Sequence, residues 1–183
     1  MRAFTAIVPA AAAIDHLDAF LEPRRSAADF RWARPEQMHL TLAFMADAPE
    51  RHLDAYVDRL AESLDDIAPA PASLTGAVAF PNVVEGRVLA VGVSGPAPLE
   101  QLAVRVRNAA VASGIEVDGQ RFRPHVTVAR TGGRKVELTS WVRLLSDYAG
   151  PAWSVGSVAV IGSHLGEGPR GTPRYELLAE VLL

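Results

Sequence analysis

Along the chain the apolar positions change period repeatedly, and each change marks a predicted element. Ala3–Val8 alternates as a strand, after which Ile14, Leu17 and Leu21 recur at helical spacing until Pro23 stops the helix. Met38–Phe44 reads as a strand, and Leu53, Tyr56, Val57, Leu60 and Leu64 predict an amphipathic helix. Asp66–Ala72, with Pro69 and Pro71, reads as a linker. Ser73–Phe80 and Arg87–Val93 read as a strand pair joined across residues 81–86, followed by a helix carried by Leu99, Leu102, Ala103, Val106 and Ala110 and ended by Gly114. Phe122–Arg130 is a further strand, Ser140–Leu145 a short helix, and Trp153–Ile161 and Tyr175–Leu182 closing strands. This is an α+β order in which the two halves repeat one organisation without evident sequence identity.

Composition narrows the class. A chain of 183 residues, 49% apolar and 21% charged, suits a single globular unit, residues 1–183. Its apolar runs fall far short of the ~20 residues that a membrane helix needs. The first twenty residues lack a signal-peptide layout, with charge resuming at Asp15. The absence of cysteine excludes disulfides, thiolate chemistry and zinc ribbons. The expectation is a cytoplasmic monomer with no membrane association and no stable protein partner. The net charge of −3 argues against a protein that grips long duplex nucleic acid. Locally, however, Arg121, Arg123, Arg130, Arg134 and Lys135 stand together with no acid among them. Arginine forks suit phosphate oxygens.

Two short segments carry the chemistry. His39-Leu40-Thr41-Leu42 lies in the first half and His125-Val126-Thr127-Val128 in the second. On a strand, His39 and Thr41 share one face while Leu40 and Leu42 share the other, and the same holds for the second copy. With 5 His in 183 residues, even one such pair is expected only roughly 0.2 times by chance. Two imidazoles near neutral pKa supply a base and an acid, and two hydroxyls hold non-bridging phosphate oxygens between them. That set suits in-line displacement at a phosphodiester without a metal or other cofactor. Neither motif has Asp or Glu at a ligand spacing, and no nucleophile elbow or phosphate loop is present.

The segments RWARPEQMHLTLAF (Arg31–Phe44) and FRPHVTVAR (Phe122–Arg130) resemble the two signature tetrads of the two-histidine phosphoesterases. Within that superfamily they look most like the bacterial and archaeal RNA 2′,3′-cyclic phosphodiesterases, also called 2′-5′ RNA ligases. The closing segment GSHLGEGPRGTPRYELLAEVLL fits the same family, and neither tetrad departs from the pattern. The resemblance implies a bilobal α+β fold, two pseudo-symmetric lobes each with an antiparallel sheet and flanking helices, with the active-site cleft between them. It implies His39 as general acid, His125 as general base, and Thr41 and Thr127 as phosphate-holding hydroxyls. The implied partners are RNA or nucleotide ends bearing a 2′,3′-cyclic phosphate, hydrolysed to 2′-phosphomonoesters. The alternatives are 2′-5′ ligation, a small cyclic nucleotide as substrate, or a nucleotide- or RNA-binding module without turnover.

Around the tetrads, Phe44, Arg130 and Tyr175 are the candidate substrate-binding residues. Arg130 is out of phase with His125 and Thr127, so it reaches the cleft only if the strand ends or bulges there. Phe44 and Phe80 suit the core as well as a nucleobase face. Tyr175 opens the last predicted strand, where it lines the cleft or packs beneath it. Arg34, Arg123 and Arg174 are further phosphate candidates. His16 and His52 read as surface residues, His164 as a residue of a Gly-rich loop, and Trp32 and Trp153 as core.

Overall fold

The computed structural model describes residues 1–183. Strand β1 (Ala3–Ile7) leads to α1 (Ala11–Leu21), which passes into a 3-10 turn at Glu22–Ala27 that holds Pro23. The two-residue strand β2 (Arg31–Trp32) precedes β3 (Leu40–Met45), α2 (Glu50–Leu64), β4 (Ala70–Phe80) and β5 (Val88–Ser94). The second half runs α3 (Leu99–Ala112), β6 (His125–Arg130), α4 (Thr139–Ser146), β7 (Trp153–Val155), β8 (Ser157–His164) and β9 (Arg174–Leu182). Gly114, with φ +75°, ends α3 as expected, because a side chain there strains the left-handed backbone.

Two of these expectations change. Ala70–Ala72 is not linker but the start of β4, paired with Val155, Ser154 and Trp153 of β7, so Pro71 sits in a strand. The predicted strand over residues 153–161 is two strands, broken at Gly156. The short β2 carried no readable signal, since two residues are too few to show a period.

All ladders are antiparallel, in the order β7-β4-β5-β6-β3-β1-β8-β9, with β2 on β6. This curled sheet forms a half-barrel with four helices. Between the two motif strands, only Leu40 and Val126 pair. That single bridge is the seam between two lobes, one of β1, β3, β8 and β9 and the other of β4, β5, β6 and β7. The lobes are not the two halves of the chain: β4, which follows α2, joins β5, and β8, which follows α4, joins β1. Helices exchange in the same way, α3 packing on β3 with α2 beside it, and α1 and α4 packing on β4.

Apolar spacing explains the layering. Tyr56, Leu60 and Leu64 of α2 and Leu102, Val106 and Ala110 of α3 are fully buried, each large side chain contributing about 1.5–3 kcal/mol. Leu40, Leu42, Val126 and Val128 belong to the same helix-side core. A separate small cluster, Phe4, Ala6, Ala159 and Ile161, lies on the concave side with Phe44 and Tyr175 against it. The helix side is therefore fully packed, and the concave side stays available for chemistry.

Candidate active site

The seam bridge places the motif residues. With Leu40 opposite Val126 in an antiparallel pair, the register sets His39 opposite Thr127 and Thr41 opposite His125. Leu40 and Val126 point into the core, so all four motif side chains share the concave face. The two histidines sit diagonally, a spacing of roughly 7–8 Å in a regular pair, which is room for one phosphate. Both threonines are half-buried.

Each strand then bulges at the matching position. On β3 the pairing with β1 runs Thr5 to Ala43 and Ala6 to Thr41, leaving Leu42 unpaired. On β6 the pairing with β5 runs Leu89 to Ala129 and Ala90 to Thr127, leaving Val128 unpaired. The carbonyls of the extra residues are not orphaned: Ala33 N–H donates to Val128 (2.9 Å) and Arg107 Nε to Leu42 (3.3 Å). One inserted residue reverses the alternation beyond it. Phe44 and Arg130, each five residues past its histidine, are thereby turned onto the cleft face. The bulge is what brings Arg130 in, and its charge acts on His39, His125 and Tyr175 alike.

Both imidazoles are anchored identically. His39 Nδ1–H donates to the Gln37 carbonyl and His125 Nδ1–H to the Arg123 carbonyl, each at 2.7 Å. Because a carbonyl can only accept, the neutral rings carry their proton on Nδ1 and keep Nε2 free for the cleft. Their surroundings differ. His39 stacks on Phe4 at 4.5 Å and 22°, with Tyr175 edge-on at 5.5 Å. His125 lies 4.6 Å from Phe80 at a tilt, and Arg123 covers that ring at 5.0 Å. Tyr175 also meets Phe4 edge-on, and Arg2 lies 4.5 Å over Phe44.

Burial sets the titration. Shielding from water drives His39 down to about 4, opposed by the Gln37 bond and reinforced by Arg130 and His125. His125 is lowered for the same first reason, with Arg123 and Arg130 adding to it. Burial raises the Tyr175 phenol, keeping its proton in place. In the free protein both histidines are neutral at pH 7. The same shielding ties stability to pH. A histidine whose folded pKa lies below its unfolded value of 6.5 contributes fully above pH 6.5, and that contribution falls as pH drops toward 4. About 3 kcal/mol is at stake for His39. Thermal melts from pH 7 to pH 4 are expected to fall less steeply in His39→Asn than in the wild type; equal slopes would refute the buried neutral ring.

The remaining candidates divide. Phe44, Arg130 and Tyr175 all face the cleft, and Phe80 borders it. Within the basic cluster, Arg130 acts on both histidines and Arg123 covers Phe80, Arg121 lines a groove beside Arg123, Arg134 holds the carbonyls of Thr131 and Asp29, and Lys135 pairs with Glu85. Arg34 is tied to Glu36 (3.2 Å) and Arg174 to Glu167 (2.8 Å). His164 closes β8, outside the loop expected for it, with Nε2 2.8 Å from Glu176. His16 meets the Tyr148 hydroxyl at 2.9 Å, and Trp153 is core. Phe4, Arg2 and the two anchoring carbonyls carried no chemical motif; only the phase of Phe4 on the first strand pointed at the cleft. No group of three or more His, Cys, Asp or Glu is arranged to hold a metal, and no helix is long and apolar enough to cross a membrane.

Comparison with known proteins points to one family. The family model described as "2'-5' RNA ligase superfamily" matches residues 9–167. Proteins named RNA 2′,3′-cyclic phosphodiesterase are similar to the chain: 33% identity over 149 residues in Aeropyrum pernix (80% of this chain, 82% of that one) and 30% over 134 residues in Methanothermobacter thermautotrophicus (73% and 72%). A third, from Geobacillus stearothermophilus, is 27% identical over 155 residues, 84% of this chain but only 48% of the relative. Among solved structures, TT0787 of Thermus thermophilus superposes with TM-score 0.75 at 26% identity, covering 100% of this chain and 98% of that one. E. coli LigT complexed with 3′-AMP gives 0.77 at 22% identity, covering 100% and 97%, a likeness of fold. With the family match spanning most of the chain and both histidine motifs, the chain belongs to the 2′-5′ RNA ligase superfamily.

Proposed function

We propose that the chain, acting over residues 1–183 as one two-lobed unit, hydrolyses 2′,3′-cyclic phosphate ends of RNA to 2′-phosphomonoesters. The observation that carries this is the pair of imidazoles with free Nε2 atoms on one face, each beside a threonine hydroxyl and both within the field of Arg130. The relatives named as RNA 2′,3′-cyclic phosphodiesterases support the substrate class. The phosphodiester anion enters between the histidines, with Thr41, Thr127 and Arg130 donating to its non-bridging oxygens. His125 Nε2 takes a proton from water as the water oxygen bonds to phosphorus. The bond from phosphorus to the 3′ oxygen breaks, and that oxygen takes the Nε2 proton of His39. Phe44 and Tyr175 border the nucleoside.

The acid needs a proton that burial denies it in the free protein. Substrate supplies the remedy, because an anion within ~4–6 Å favours the imidazolium. Binding and protonation of the acid are thus one event. A second reading exchanges the two roles, since His39 is the more heavily shielded ring and in the free protein suits a base.

The direct test is turnover of a 2′,3′-cyclic mononucleotide with excess EDTA, products resolved by phosphorus NMR. A 2′-phosphomonoester at an undiminished rate is expected, since side chains supply every proton and phosphate contact. Activity lost to chelation and restored by zinc or manganese would refute the mechanism, and no turnover on any cyclic end would refute the function.

A further inference from the structure

Two grooves, one over each lobe, differ in charge. The groove on the β9 side, about 280 Å³, is bordered by Arg34, Arg174, Glu36 and Glu167. Its arginines are already neutralised: Arg34 by Glu36, and Arg174 by Glu167 and, at 3.8 Å, Glu176. The groove on the β5 side, about 630 Å³, is bordered by Val78, Gly92, Glu100, Arg121, Arg123 and Pro124. Neither Arg121 nor Arg123 is ion-paired within the chain; Glu100, the groove's one acid, forms no salt bridge with them. The Arg123 guanidinium covers Phe80, the ring that abuts His125, so this groove begins where the proposed reaction occurs.

A polynucleotide end presents a further phosphodiester one nucleotide away from the reacting phosphorus. Of these two grooves, only the one on the β5 side offers it uncompensated cations, and its volume lies within the range of pockets that hold a small ligand. Glu100 repels phosphate, which confines the phosphodiester to the Arg121–Arg123 wall and leaves the other wall to the nucleoside. Resting on the proposed activity, we propose that this groove is a subsite for the nucleotide preceding the reacting end. Its arginines hold the phosphodiester that joins the two nucleotides, and the preferred substrate is an oligonucleotide end instead of a free cyclic mononucleotide.

The test compares kcat/KM for a 2′,3′-cyclic mononucleotide with that for a dinucleotide bearing the same terminal base, in wild type, Arg121→Ser and Arg174→Ser. A charge-assisted contact predicts an advantage of about tenfold or more for the dinucleotide in the wild type. Arg121→Ser is expected to erase most of that advantage, and Arg174→Ser to keep it. The slope of log kcat/KM against log salt on the dinucleotide is expected to flatten by about 0.7 in Arg121→Ser, which a merely structural role would not produce. Equal use of both substrates by the wild type overturns the subsite while leaving the activity standing. Loss of the advantage in Arg174→Ser in place of Arg121→Ser puts the strand on the other lobe and also overturns it. Failure to turn over either substrate overturns the activity and the subsite with it.

Discussion

Replacing either cleft histidine by alanine is expected to lower kcat by about 10²–10⁴-fold, because each variant removes one proton transfer. Little change in KM is expected for His125→Ala, and a raised KM for His39→Ala, which loses the imidazolium that forms beside the bound phosphate. The pH profiles carry the finer result. In the free protein both imidazoles are held below the ordinary histidine value by burial, His39 down to about 4. The bell in kcat/KM, which reports the free enzyme, is therefore expected to centre below pH 6.5. The bell in kcat is expected at higher pH, since bound phosphate favours the protonated ring. His39→Ala should keep the acidic limb and lose the alkaline one, and His125→Ala the reverse. Exchanged limbs would establish the alternative assignment of acid and base. Full bells at near-normal rates in both variants would reduce the histidines to structural residues.

Arg130→Gln is expected to lower kcat/KM by roughly 10- to 150-fold, the equivalent of about 1.5–3 kcal/mol for a hydrogen bond to a charged oxygen. It should also move the profile. Arg130 depresses both imidazoles, so its loss raises both, and the kcat/KM bell shifts to higher pH. Arg130→Lys keeps the charge but not the fork, so the bell should stay while part of the rate is lost. A rate loss with an unmoved bell in Arg130→Gln would mean that the guanidinium acts far from the histidines, against the bulged geometry.

That geometry also shows what a sequence reveals. The histidine motifs were readable because alternation of period 2 sorts His and Thr from Leu and Val, and because histidine is scarce here. Arg130 was readable only conditionally. Leu42-Ala43 and Val128-Ala129 look the same in sequence whether the strand runs straight or bulges, because every residue involved is buried either way. Phase arithmetic thus fails at the step that decides which side chain meets the phosphate. The linker expected over residues 66–72 holds only to residue 69, for a related reason: Pro71 breaks a central strand, yet β7 is three residues long and meets it at the rim of the sheet. The exchange of strands between lobes left no local trace, since pairing between residues far apart in sequence has no period.

That exchange has a consequence for how the molecule is made. Strand β1 is flanked by β3 and β8, so its second ladder waits until residue 164 has been synthesised, while β4 meets β7 only after residue 155. A ribosome releasing this chain from its N-terminus delivers two half-built sheets, each with an unpaired edge that only later strands can occupy. Folding then becomes a late, concerted event dominated by distant contacts, of the kind that proceeds slowly for its size. The nascent chain is most exposed to mispairing or to capture by a second copy just before the last two strands emerge. The catalytic face, lying on the seam between the lobes, is complete only when this interleaving is.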